Sequence, residues 1–546
     1  LRLTNMPFPF RQDVSTGHFF VHISTIERMM KIGWIKGATK EAKQAIRLYA
    51  EEAALTFRAN IEMQDSDQKS EWLKHLNPKH YNPLPFQIVG MQRLYSRFVN
   101  FGNGIILGDD VGLGKTIQAI GIIGRLRAEG KLRRVIVTTT SGMKSQWSDE
   151  IAKFSRPKLR TATADGSREK RIERLASDAD VYIVNHEMFR FDHYAKAIDR
   201  IIDNGVDLIV IDESSYVKNY ETVTHKAIFD RVQRIKWALP LNATVIENSL
   251  EDFFAQVRLC DRHLLGNHAG FDARYIVRGY AGQIVKYKNL KEFRKRTAIT
   301  MYRRTRSQVR LQLPQVIVQA RQVSMGTEQA SEYRTIVEAA VSERGSGAIK
   351  MAKLAKVQRA AYASASGQSA KIDDLIGLLN SELKGERIVV FTRFKEIAKD
   401  AFDRLKEYAP ALITGDTGHA ARNDTRRRFA SRHGAGSILI GTEAMDRGLN
   451  LQAAGVIVNL DLPWNPAKLR QRIGRINRVG QERESVLVIN YIATHPKGPT
   501  IDDYMISKIL PKRDLFRAVL SDDDTDEIGT DTTNPDAVME YISGVL

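Results

Sequence analysis

The chain has 546 residues, 43% of them apolar, and a formal charge of +19. That length exceeds what one hydrophobic core can organise and predicts about three or four folding units. No apolar run approaches the roughly 18 residues needed to cross a bilayer, no signal-peptide succession opens the chain, and a single cysteine, Cys260, excludes an intramolecular disulfide or a multi-cysteine zinc site.

A reducing cytosol fits these features, although Leu1 rather than Met opens the chain and leaves a lost targeting segment open. Residues 1–80 carry a short apolar segment, Phe19-Phe20-Val21-His22-Ile23, then a helical pattern through Ile46, Tyr49, Ala53 and Phe57, and are read as an accessory region. From residue 81, short β-branched runs separated by helical stretches predict an α/β lobe with a parallel sheet, spanning 81–310. Its strands are Ile105-Ile106-Leu107, Val135-Ile136-Val137, Val181-Tyr182-Ile183-Val184, Leu208-Ile209-Val210-Ile211 and Ala238-Leu239-Pro240-Leu241. Basic and alanine-rich sequence then predicts a helical insertion over about 251–300 and a helical linker or protrusion over 311–365. A second α/β lobe covers 366–500, with strands at Ile388-Val389-Val390-Phe391, Ile438-Leu439-Ile440, Val456-Ile457-Val458 and Val486-Leu487-Val488-Ile489. Residues 501–546 read as a C-terminal helix and an acidic tail, with Asp522, Asp523, Asp524, Asp526 and Glu527, expected to be disordered in part.

The densest chemical signal follows the first of these strands, at Gly108-Asp109-Asp110-Val111-Gly112-Leu113-Gly114-Lys115-Thr116, and runs into the helix-like Ile117-Gln118-Ala119-Ile120. A strand, a glycine-rich loop ending in Lys-Thr and a helix form a phosphate cradle. Lys115 reaches the β and γ oxygens of ATP and Thr116 coordinates magnesium, while Asp109 stands where the general pattern has glycine. About a hundred residues later the run Leu208-Ile209-Val210-Ile211 ends in Asp212-Glu213-Ser214-Ser215. Two carboxylates at a strand end divide the work: Asp212 for magnesium, Glu213 to orient and deprotonate the attacking water.

In the second lobe, Arg475 and Arg478 lie three apart and are expected on one helical face, where two guanidinium groups can converge on a phosphate. If the phosphate loop of the first lobe holds that phosphate, catalysis requires the lobes to close. The positive charge points to a polyanionic partner, nucleic acid first, and Arg294, Lys295, Arg296, Arg303, Arg304, Arg306 and Arg310 crowd one region.

Taken in order, these motifs resemble the Swi/Snf family of superfamily two ATPases, the double-stranded DNA translocases, from about residue 83 to 495. Pro83-Leu84-Pro85-Phe86-Gln87 resembles the family's adenine-contacting motif, with Gln87 in that role, and Asp109 matches the family's own phosphate loop. Thr138-Thr139-Thr140-Ser141 with Gln146-Trp147 is similar to a DNA-backbone motif, Asn185-His186-Glu187 to the motif after it, and Leu241-Asn242-Ala243-Thr244-Val245 to the coupling motif. Arg303-Arg304-Thr305 with Leu313-Pro314 resembles the basic segment closing the first lobe. In the second lobe, Val390-Phe391-Thr392-Arg393 and Gly441-Thr442-Glu443-Ala444 through Gly448-Leu449-Asn450-Leu451 match DNA- and nucleotide-facing motifs. The run from Asp461 through Trp464 to the paired arginines looks closest to bacterial RapA-type members.

The resemblance implies two tandem RecA-like lobes hydrolysing ATP with magnesium in the cleft between them. It implies Gln87, Asp109, Gly112, Gly114, Lys115, Thr116 and Gly448 as nucleotide contacts, and Thr140, Ser141, Asn185, Thr392, Arg393, Thr442 and Trp464 as DNA contacts. Trp464 reads equally as a stacking wedge or as a core residue closing the sheet edge. The substrate is expected to be duplex DNA, the remodelled cargo a DNA-bound complex such as a polymerase, and the chain a monomer in a prokaryotic cytosol, nucleoid or phage-infected host. Two departures bear on mechanism: Ser214-Ser215 where the family has Ala-His, and Asn242-Ala243-Thr244-Val245 where it has Thr-Gly-Thr-Pro. Magnesium ligand and base survive, while the link from nucleotide site to coupling motif is expected to be weakened. A nucleotide-regulated DNA clamp and a strand-separating helicase therefore stand beside the translocase.

Overall fold

The computed structural model describes residues 71–506, apart from 244, 247–248, 281, 306–307, 310–313, 343–346, 431–437, 443–444, 446–450, 465 and 479–480, together with short strands at Phe10–Gln12, Phe19–Val21 and Ile528–Gly529. The chain divides into two compact units, Leu1–Leu311 with Phe516–Thr530, and Gln312–Leu515 with Asp531–Leu546.

The first unit is organised by seven strands: β1 (Ile106–Leu107), β2 (Val135–Thr139), β3 (Thr161–Thr163), β4 (Val181–Asn185), β5 (Leu208–Asp212), β6 (Trp237–Leu241) and β7 (Met301–Tyr302). Their order across the sheet is β7-β1-β6-β5-β2-β4-β3, and every pairing is parallel. Strands β2, β5 and β6 are buried along their whole length, as expected where helices cover both faces of a parallel sheet. Alternation divides the side chains: Val135, Val137, Leu208 and Val210 enter the core on one face, Ile136, Ile209 and Ile211 the core on the other. Trp72 and Leu76 belong to the first of these cores. The lobe therefore begins before residue 81, because an aromatic and a leucine ahead of the first motif fill space against its helices.

The insertion after β6 is only partly helical. Helices Leu250–Cys260, His268–Tyr275 and Leu290–Thr297 accompany an antiparallel pair, Ile276–Arg278 with Ile284–Tyr287. Ile528–Gly529, within the tail expected to be disordered in part, pairs with the latter strand. The helical pattern through Ile46 to Phe57 and most of the acidic tail lie outside the described residues.

The second unit holds a six-stranded sheet of β8 (Gln315–Ser324), β9 (Ile388–Phe391), β10 (Ala411–Ile413), β11 (Ile438–Gly441), β12 (Val456–Asn459) and β13 (Ser485–Thr494). The order is β8-β13-β12-β9-β11-β10, again with every pairing parallel. Two parallel-sheet lobes with helices give the tandem RecA-like fold the sequence implies. Strand β8 corrects the helical linker: it pairs with β13 residue for residue from Gln315↔Ser485 to Ser324↔Thr494. Most of its side chains are exposed, Ile317 and Val318 among them, so its short apolar run Val316-Ile317-Val318 does not mark a buried strand. Helices Thr327–Ser342 and Gly347–Ala360 follow it.

Candidate nucleotide and nucleic-acid sites

Strand β1 delivers the phosphate loop, and helix α2 (Lys115–Ala128) starts directly behind it, after helix α1 (Pro85–Ser96). Gly114, at φ +79°, is the N-cap of α2; a Cβ there would collide with Gln87 Nε2 and lie 2.9 Å from Ile117 Cγ2. No acidic side chain occupies the first turn of α2, so its backbone N–H groups and dipole remain available to an anion. Lys115 Nζ folds back on the loop, donating to the carbonyls of Asp109 at 2.7 Å and Asp110 at 3.4 Å. Burial pulls its ammonium below its ordinary value, opposed by the carboxylates of Glu213, Asp109, Asp110 and Asp212. A cation held on weak carbonyl partners among carboxylates, beside a bare helix N-terminus, suits a magnesium nucleotide.

Two residues expected to touch nucleotide instead support the loop from behind. Gln87 is buried; its Oε1 accepts from Tyr81 Oη at 2.8 Å and Leu84 N at 2.9 Å, and its Nε2 donates to Leu113 O at 3.1 Å. Asp109 is fully buried and accepts from Gln118 Nε2 at 2.9 Å and from the Arg304 backbone and guanidinium. The Asp109 side chain is thus a core anchor rather than a phosphate neighbour. Arg304 itself is buried, Arg303 pairs with Asp110 at 3.1 Å, and Arg296 donates to Tyr275 Oη at 3.3 Å. Much of the basic run expected along the DNA path therefore holds the lobe together; Arg306 and Arg310 lie outside the described residues.

Strand β5 ends in Asp212, which is buried. Its Oδ2 accepts from Thr139 Oγ1 at 2.9 Å and from the Trp147 indole at 2.8 Å, leaving Oδ1 as the ligand atom for a cation. Burial and neighbouring Glu213 push Asp212 up to about 6, against the opposing hydrogen bonds of Trp147 and Thr139 and the charge of Lys115. Magnesium chemistry fits this donor set, since a divalent ion restores the charged form. Glu213 adopts a left-handed backbone, φ 49° and ψ 53°, an arrangement that costs a non-glycine residue about 1–2 kcal/mol. Trp147, on helix α3 (Lys144–Phe154), appears in the sequence only as part of a DNA motif, yet its indole holds the Asp212 carboxylate. The indole is buried, and no local sequence signal announces a contact that spans 65 residues.

The DNA-contact expectations divide. Thr140 is half-buried and Ser141 exposed at the C-terminal end of β2, open to a backbone phosphate. The Asn185 amide donates to Glu187 Oε2 at 2.7 Å. Thr392 is buried and gives its hydroxyl to Asp461, so it serves the second core rather than a phosphate. Arg393 donates to Gln358 Oε1 at 2.7 Å, and Thr442 is buried at the end of β11. Trp464 packs at the edge of the helical core around Tyr333 and Tyr504, which favours its closing role over a stacking wedge. Gly448 lies outside the described residues.

Arg475 and Arg478 do not share a helical face. Helix α4 (Pro466–Ile476) ends between them, and Arg478 Nε turns back to donate to Gly474 O at 2.6 Å. Arg475 remains in the last turn and is buried.

A family model of the SNF2-related domain matches residues 86–384, more than half of the chain, and one of the helicase conserved C-terminal domain matches 370–480. The uncharacterized ATP-dependent helicase YqhH of Bacillus subtilis is 24% identical across 81% of this chain and 80% of that protein. A SWI/SNF-related matrix-associated actin-dependent regulator of chromatin subfamily A-like protein 1 of Xenopus laevis is 27% identical across 86% of this chain but only 47% of that protein. Among solved structures, the Sulfolobus solfataricus SWI2/SNF2 ATPase core in complex with dsDNA is 24% identical, covering 82% of this chain and 94% of that chain with a TM-score of 0.39. The family rests on the domain matches and the fold on the two parallel sheets: the chain belongs to the SNF2-related, Swi/Snf family of ATPases.

Proposed function

We propose that this chain hydrolyses ATP to move along double-stranded DNA and to displace or remodel protein bound there. The observation that carries the reading is a phosphate loop whose Lys115 rests on its own carbonyls, within electrostatic reach of the strand-end carboxylates Asp212 and Glu213, ahead of a helix α2 whose first turn holds no acidic residue. Magnesium, when bound with the nucleotide, neutralises phosphate charge at the transferring group. Thr116 and Asp212 would hold it. Lys115 exchanges its carbonyl partners for phosphate oxygens, and Glu213 takes the proton of the attacking water. Arg475, in the last turn of its helix, is the arginine that acts on the charge developing in the transition state. Family membership and the charge of +19 support duplex DNA as the track, contacted mainly through its backbone.

ATPase rates without DNA, with single strands and with duplex test the proposal. Duplex-stimulated turnover abolished by Lys115→Ala and Glu213→Gln supports it; equal stimulation by single strands points to strand separation, and no turnover with any nucleic acid refutes it.

A further inference from the structure

The side chain joining the carboxylate-bearing strand end to the neighbouring loop is one that no motif singles out, Gln256. It lies on helix Leu250–Cys260 and is fully buried. Ser214 Oγ donates to its Oε1 at 2.6 Å, and Asn242 Nδ2 donates to the same oxygen at 3.0 Å. Its Nε2 donates to Val245 O at 2.6 Å and Asp252 O at 3.0 Å.

The amide therefore fills both acceptor and both donor positions. Its orientation follows from its neighbours: reversed, the nitrogen would face the Asn242 amide and the oxygen would face two carbonyl oxygens. Ser214 directly follows Glu213 at the end of β5, while Asn242 and Val245 lie on the loop leaving β6, and β5 and β6 are hydrogen-bonded neighbours. Ser214 and Asn242 each open one of the two departures, Ser214-Ser215 and Asn242-Ala243-Thr244-Val245, expected to weaken the link between nucleotide site and coupling motif. Their hydroxyl and amide are the groups that Gln256 binds.

We infer that Gln256 is a positioning residue that couples the Asp212-Glu213-Ser214 strand end to the loop carrying Asn242 and Val245, so that DNA engagement and ATP hydrolysis remain linked in this chain. The inference rests on the proposed DNA-stimulated ATPase. A shift of Ser214 during turnover has to carry Gln256 with it or break a buried hydrogen bond, and the same oxygen transmits that shift to Asn242.

Gln256→Leu in the full chain, with Ser214→Ala as a smaller change that removes one arm of the network, tests the link. Nucleotide affinity, from titration with a fluorescent ADP analogue, is expected to stay within about threefold of wild type and turnover without DNA within a similar range. Stimulation by a linear duplex is expected to fall about tenfold in each variant, and the double variant to be no worse than Gln256→Leu alone. Wild-type stimulation in either variant, or losses that multiply in the double variant, overturns the coupling role even if the melting temperature has dropped. Absence of duplex stimulation in the unaltered chain overturns the ATPase reading and this inference together, so the two failures are distinguishable.

Discussion

Asp109 and Arg304, 195 residues apart, form a buried ion pair in which the Arg304 backbone N–H and Nε both donate to Asp109 Oδ1, at 3.1 and 3.0 Å. The parallel pairing of β7 with β1, Tyr302 opposite Leu107, brings the segments after each strand together, and Arg303 meets Asp110 beside them. The phosphate loop is thus clamped to the last strand of its own lobe. Arg304→Met leaves the Asp109 carboxylate buried without its counterion, a change that costs about 3–5 kcal/mol. Urea unfolding of the first lobe is expected to shift to a lower midpoint, and adding Asp109→Leu to recover part of the loss. A single variant as stable as wild type would contradict the clamp.

Trp147→Phe removes one of two hydrogen bonds to Asp212 Oδ2 while keeping most of the buried ring. A hydrogen bond to a charged group contributes about 1.5–3 kcal/mol. Magnesium-dependent kcat is expected to fall about tenfold or more, on the scale of that energy, with the apparent magnesium requirement raised. Unchanged kinetics would mean that the indole does not orient the metal ligand.

The raised pKa of Asp212, about 6 against 3.8 for an ordinary aspartate, makes stability pH-dependent in the metal-free chain. The folded state holds this proton more tightly than the unfolded state. Its contribution is full below about 3.8 and is lost as pH rises through about 6. Asp212→Asn keeps an oxygen for both Thr139 and Trp147 and removes the buried charge. It is expected to stabilise the metal-free chain by about 2–3 kcal/mol at pH 8, with the advantage shrinking as pH falls toward 4. Denaturant unfolding at a series of pH values measures this; a gain independent of pH would exclude the titration as its source.

The two arginines at the end of α4 should separate kinetically. Arg475→Ala is expected to lower kcat by about 10³ with ATP affinity nearly unchanged, because a transition-state arginine acts on developing charge. Arg478→Ala loses the bond to Gly474 O, and its principal effect is expected on stability, about 1 kcal/mol. Parallel steady-state kinetics and ATP titrations decide; equal loss of binding and rate in Arg475→Ala would make it a ground-state ligand.

The placement of the phosphate loop and of the Asp212-Glu213 pair is legible because each is a short contiguous segment at one strand end. The roles of Asp109, Gln87, Thr392 and Gln256 were not, because each depends on partners brought in by the fold, from Asp461 on Thr392 to Arg304 on Asp109. Arg475 and Arg478 have helical spacing, but α4 stops at Ile476 before the second arginine. Strand β8 has a related cause: its mostly exposed residues, the apolar Ile317 and Val318 included, are held by ten consecutive partners on β13 rather than by burial.

Displacement of the third strand from a DNA triplex, followed with the wild-type chain and Glu213→Gln, tests the central claim most directly. ATP-dependent displacement by wild type, absent without ATP and in Glu213→Gln, is the predicted result. Duplex-stimulated hydrolysis with no displacement by the wild-type chain would contradict translocation and leave a nucleotide-regulated clamp.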